Sequence, residues 1–153
     1  MRWVLLAYRL PSRPSTPRIT LWRRLRRLGA LQIVDGLVAL PNRSSTREQL
    51  EWLADEILEA GGEATVWLSD TTAPSHDREL VERMARAVAE EYDAVARAAR
   101  AASREAAPAR RRELRRLRRR LQRIRLRDYF PSPEREAAER EVERLAEQVA
   151  VPS

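Results

Sequence analysis

The stretch "ALQIVDGLVALP", Ala30 to Pro41, decides how the first half of this chain folds. Two short apolar runs flank Asp35-Gly36, a pair favoured in type I′ hairpin turns because both central positions there need positive φ. Pro41 closes the second run, since proline brings no ladder donor. The stretch reads as a tight β-hairpin.

Upstream, "WVLLAY", Trp3 to Tyr8, is an apolar run of strand formers that stops at Pro11. Prolines 11, 14 and 17 mark a loop, and Thr16-Pro17 reads as the N-cap and first residue of a helix. That helix gathers Ile19, Leu21, Trp22, Leu25 and Leu28 on an apolar face and Arg23, Arg24, Arg26 and Arg27 on the other; Gly29 ends it. Downstream, Ser45-Thr46-Arg47-Glu48 has capping-box spacing. The helix behind it turns Leu50, Leu53, Ile57 and Leu58 to the core, and Gly61-Gly62 stops it. "EATVWLS", Glu63 to Ser69, reads as a fourth strand. The order strand, helix, hairpin, helix, strand predicts an α+β chain. It opens with a ferredoxin-like (split βαβ, or βαββαβ) domain over residues 1–74, both helices on one face of an antiparallel sheet. The tryptophans at 3, 22, 52 and 67 are expected as core anchors of that domain.

Residues 75–153 read as helical throughout. Ser75 caps a long helix whose Val81, Ala85, Val88, Tyr92, Val95, Ala99, Ala102 and Ala106 form a heptad seam. Pro108 breaks it. A second helix carries Leu114, Leu117, Leu121 and Ile124, and a third, after Ser132-Pro133, carries Ala138, Val142, Leu145 and Val149. Short breaks favour antiparallel neighbours, so an antiparallel helical hairpin or three-helix bundle is expected, packed on or extending from the sheet domain.

The chain has 153 residues and a formal net charge of +7, and all 30 of its basic residues are arginine. The basicity is local. Residues 108–128 hold eleven arginines against two acidic residues, and the helices on either side are mildly acidic. The charge allows two readings. Glu82, Glu90, Glu91, Asp93, Glu136, Glu139 and Glu143 could line the basic helix, each surface pair being worth about 0–1 kcal/mol. The flanking helices carry only about half the charge needed for neutrality, so arginines are left over for a polyanion. The candidate nucleic-acid-binding residues are Arg110, Arg111, Arg112, Arg115, Arg116, Arg118, Arg119, Arg120 and Arg123, with Arg23, Arg24, Arg26 and Arg27 in support. The alternative is a helical interaction module, a homodimer held through the seam, with charge serving pairing and solubility. Arg13, Ser15, Thr16 and Arg18 surround a helix start that suits an oxyanion, or simply a capped turn.

No catalytic constellation is visible. His76 is the only histidine and reads as a surface residue, and cysteine is absent. Asp35 and Asp70 are explained by a turn and a strand end. Neither a P-loop nor GxGxxG is present, and no cofactor or metal site is expected. Tyr129-Phe130 reads as a staple between two helices, or as a stacking platform for a base. The apolar run Trp3–Ala7 is too short for a signal peptide or a membrane span, so a cytoplasmic, non-enzymatic protein is expected.

The opening "MRWVLLAYRLPSRPSTPRITLWRRLRRLGALQIVDGLVALP" resembles the N-terminal domain of the ChrB family of chromate-resistance regulators. The likeness lies in Trp3, Leu10-Pro11, the loop from Ser12 to Pro17, Trp22 to Ala30, and Gly36 to Pro41. "RIRLRDYFPSPEREAAE", Arg123 to Glu139, also looks like that domain's closing segment. The resemblance implies a transcriptional regulator linked to chromate resistance, and the arginine-rich segment is what points to DNA as its partner. ChrB proteins generally carry a second domain, so a separate chromate-sensing partner protein is a further expectation for a chain that stops at Ser153. More distantly, the opening is similar to the ferredoxin-like domain of PaaX-type repressors and of the small CRISPR-associated nuclease. The nuclease's strand-end aspartate is replaced here by Tyr8-Arg9, which speaks against nuclease activity.

Overall fold

The computed structural model describes residues 1–151. Its elements are β1 (Trp3–Arg9), α1 (Thr16–Leu28), β2 (Leu31–Val34), β3 (Leu37–Pro41), α2 (Ser44–Glu59), β4 (Glu63–Ser69), α3 (Pro74–Ala102), α4 (Ala107–Leu126) and α5 (Pro133–Ala150). Residues divide into two compact units, Met1–Val81 and the chain from Glu82 onward, so α3 contributes to both.

In the first unit four strands form one antiparallel sheet in the order β2-β3-β1-β4. The expected hairpin joins β2 and β3, but its turn is not type I′. Only Gly36 has positive φ (77°), Asp35 does not, and the register slips between Gln32 and Val34. The slip absorbs the twist that a primed turn would otherwise supply. Gly36 is fixed a second way: its carbonyl accepts from Tyr8 N at 2.8 Å, and a Cβ there would stand 2.6 Å from Tyr8 O.

Val4 and Leu6 of β1, with Val38 and Leu40 beside them in register, are buried. α2 packs against β1 and β4 and buries Leu50, Leu53, Ala54 and Ile57. Gly62 brings the chain from α2 into β4 so closely that a Cβ would lie 2.4 Å from Arg9 O. α2 starts at Ser44, ahead of the predicted capping box. Its cap is built on Thr46, whose Oγ1 accepts from Arg43 N at 3.0 Å and donates to Pro41 O at 2.5 Å. α1 likewise starts at Thr16 with Ser15 before it, and α3 starts at Pro74 instead of after Ser75. The start of α3 is tied down by Asp77, which accepts from Trp3 Nε1 at 2.7 Å and from Arg2 at 2.5 Å.

Of the four tryptophans only Trp3 is a core anchor. Trp22, Trp52 and Trp67 are 54%, 58% and 55% exposed, which corrects the expectation for those three. Ile19 and Leu58 are exposed too. α1 is rolled so that Leu21 and Leu25 are buried, which leaves Ile19 and Trp22 on its outer flank. Trp67 lies on β4, an edge strand, in register with Leu5.

In the second unit the seams meet. Val88, Tyr92, Val95, Ala96, Ala99 and Ala102 of α3 pack with Leu114, Leu117, Leu121 and Ile124 of α4 and Ala138, Val142 and Leu145 of α5. Pro108 does not end α3; it sits in the first turn of α4, where its missing N–H costs nothing. Ala98 and Ala102 share a hollow with Ala109 and Glu113, while Arg127 pairs with Glu91, so α3 and α4 run antiparallel. Ala106, the last expected seam residue, is exposed in the link between them.

Candidate nucleic-acid interface

α4 turns Leu114, Leu117, Leu121 and Ile124 inward, and their spacing leaves the opposite side to arginine. Arg112, Arg115, Arg116, Arg119 and Arg123 stand at i, i+3, i+4, i+7 and i+11, one continuous exposed stripe about 16 Å long at 1.5 Å rise per residue. Arg111 and Arg118 flank it and are exposed as well. Among the described residues Arg112, Arg115, Arg119 and Arg123 form no ion pair; Arg116 is bridged to Glu113 at 2.5 Å within the helix. That bond, before burial, governs the Glu113 carboxyl and holds it below the ordinary carboxylate range.

Among the described residues, ion pairs from neighbouring helices reach the C-terminal end of α4. Arg125 meets Glu139 at 3.0 Å and Arg127 meets Glu91. Burial by itself would raise the Glu139 carboxyl, but hydrogen bonds from Arg135 and Arg125 outweigh it and lower the pKa. The other end is also occupied: Arg110 is half-buried and donates to Glu105 O at 2.9 Å, while Arg120 is half-buried. Of the nine α4 candidates, Arg110 and Arg120 are thus withdrawn from the open face.

The supporting arginines belong to the other unit. Arg24 is bridged to Glu56, Arg26 lies 4.8 Å from the centre of the Trp22 ring, and Arg23 and Arg27 are exposed. Arg13, Ser15, Thr16 and Arg18 are all exposed. Thr16 lines a hollow with Thr20, Leu53 and Glu56, and Arg18 lines another with Tyr8, Trp22, Gln32 and Asp35. Ser15 makes no side-chain cap bond. In the Arg18 hollow burial raises the Tyr8 pKa, Arg18 lowers it and Asp35 raises it further.

One polar cluster escaped the sequence reading. Tyr92, wholly buried, donates to Asp128 Oδ2 at 2.9 Å. The Asp128 side chain is 1% exposed and lies 3.7 Å from Arg135. Burial first, then the Asp128 bond, pushes the Tyr92 hydroxyl far up. The signal was a tyrosine on an apolar seam, whose hydroxyl needs a buried acceptor. Tyr129 and Phe130 are half-buried in the link to α5.

Residues 18–105 match the family described as "Protein ChrB, N-terminal". Over 90 residues the chain is 33% identical to Protein ChrB of Cupriavidus metallidurans, covering 59% of this chain and 27% of that protein. The chain therefore spans about a quarter of the length of the curated relative that it matches. No solved structure matches it. The matched span runs from α1 through α3, so β1, α4 and α5 lie outside it, and so does the likeness seen at residues 123–139.

Proposed function

We propose, from the premise that this chain belongs to the family of the ChrB N-terminal domain, that it is a regulatory protein of chromate resistance that binds DNA through α4. Its role is non-catalytic, and it works in the cytoplasm. No helix among the described residues is long and apolar enough to cross a membrane. The sheet unit reads as a split βαβ; from the opposite edge its strand order is β4-β1-β3-β2, and consecutive strands β2 and β3 form the hairpin.

The observation that carries DNA binding is the unpaired stripe Arg112, Arg115, Arg119 and Arg123. Four to five guanidiniums on one helix face match a phosphate backbone, which supplies most of the affinity for duplex DNA by counterion release. The support is α4's own geometry, since the family match ends before it. A duplex titration at several salt concentrations tests the reading: log K falls against log salt with a slope of about −3.6 to −4.5 if the stripe sits on phosphates. A flat response rejects it.

A further inference from the structure

We propose that the outer face of α2 docks the α4 arginine stripe of a second copy of this chain. α2 buries Leu50, Leu53, Ala54 and Ile57, and its opposite side carries Glu48, Glu51, Trp52, Asp55 and Glu59, all exposed. An indole 58% exposed in the middle of a helix face gains nothing from water, and its flat ring suits a guanidinium laid against it. Among the described residues none of Glu48, Glu51, Asp55 and Glu59 is in an ion pair; Glu56, off this stripe, is the one bridged to Arg24.

The spacing identifies the occupant. The α2 face stands at residue 48 and then three, four, seven and eleven positions on, and the α4 stripe stands at residue 112 and the same intervals on. Laid parallel, Glu48, Glu51, Asp55 and Glu59 meet Arg112, Arg115, Arg119 and Arg123, and Trp52 meets Arg116. Laid antiparallel, Glu48 meets Arg123, Trp52 meets Arg119, Asp55 meets Arg116 and Glu59 meets Arg112. Opposite charges face each other in both directions, so every copy carries both halves of a matched pair. Single surface pairs are weak, about 0–1 kcal/mol each, but a row of them around an aromatic anchor sets register and partner. DNA and a second copy then compete for the same arginines, so self-association holds the DNA-binding face in reserve.

Sedimentation velocity of the full chain at about 50 mM and about 500 mM salt tests this, because screening shortens from ~14 to ~4 Å over that range. The expected result is a reversible, concentration-dependent species heavier than the monomer at low salt and monomer at high salt. Glu51→Arg with Asp55→Arg weakens association by roughly ten- to a hundredfold, as does Arg115→Glu with Arg119→Glu, and mixing the two variants restores it. Trp52→Ala weakens it without changing any charge. Circular dichroism confirms that each exposed-site variant keeps its helices. A monomeric wild type at low salt, an association that Glu51→Arg with Asp55→Arg leaves intact, or a mixture that fails to associate overturns the proposal. The DNA reading is scored separately: substitutions on α2 leave every α4 arginine in place, so a duplex titration reports on it whether or not copies associate.

Discussion

The two units solve the burial problem differently. Met1–Val81 carries 11 arginines against 10 acidic residues, while the chain from Glu82 onward carries 19 against 13. The near-neutral sheet unit leaves three large aromatic side chains in water, Trp22, Trp52 and Trp67. The helical unit buries nearly every apolar seam residue and spends its surface on charge. Apolar character thus marks the core less faithfully in the sheet unit, where Ile19, Leu58 and three tryptophans are exposed. The surface differs as well: the sheet unit exposes three indoles, and the helical unit lines Arg112, Arg115, Arg119 and Arg123 along one face of α4.

The largest expected effect tests the seam. Leu117 is wholly buried, so Leu117→Ala should cost about 2–5 kcal/mol in chemical denaturation followed by circular dichroism. Trp67→Ala, though a larger truncation, should cost under about 1 kcal/mol. If the two costs come out equal, the contrast between the units breaks.

Gly62→Ala comes next. A Cβ 2.4 Å from Arg9 O forces backbone to move, and the expected loss is about 1–3 kcal/mol. Gly61→Ala controls for conformation alone: Gly61 has φ 85° and nothing near a Cβ, so its loss should be the smaller.

Tyr92→Phe sharpens the account of the helical unit. It takes the partner from a buried carboxylate, with an expected loss of about 1–3 kcal/mol at neutral pH. The sign at high pH follows from linkage. The native Tyr92 pKa is raised, so its contribution is full below the unfolded value near 10 and is lost as pH rises through the native one. Wild type should therefore lose stability above about pH 10 more steeply than Tyr92→Phe.

The smallest effect is at the acid end. Glu113 and Glu139 have lowered pKa values, so their contributions are present above the unfolded value of about 4.5 and are lost as pH falls through the native ones. Glu113→Gln should flatten the acid limb of a stability–pH curve by less than about 1 kcal/mol, because the pair it breaks is partly solvated.

The elements were readable because periodicity survives without tertiary information. The hairpin around Asp35-Gly36, the α3 seam and the break near Pro108 all came from local spacing. What local spacing does not encode is which flank of a broad apolar stripe meets the sheet. Ile19, Trp22 and Leu58 extend such stripes, and the sheet buries their neighbours. The turn type was hidden because a slipped register and a primed turn both use Asp-Gly. The arginine face was legible as charge, and the inward turn of Leu114, Leu117, Leu121 and Ile124 was legible as its complement. Which arginines are already spoken for was not, because Glu91 and Glu139 reach Arg127 and Arg125 only when distant segments are side by side. Asp77 on Trp3 is the same kind of long-range pairing.

A salt-dependent duplex titration of two variants separates binding through α4 from binding through α1. One replaces Arg112, Arg115, Arg119 and Arg123 by glutamine; the other replaces Arg23, Arg26 and Arg27. If α4 holds the DNA, the first loses about 4 units of slope and nearly all affinity at low salt, while the second keeps a slope near that of wild type. The opposite pattern, with the α4 variant binding as wild type does, would contradict binding through α4.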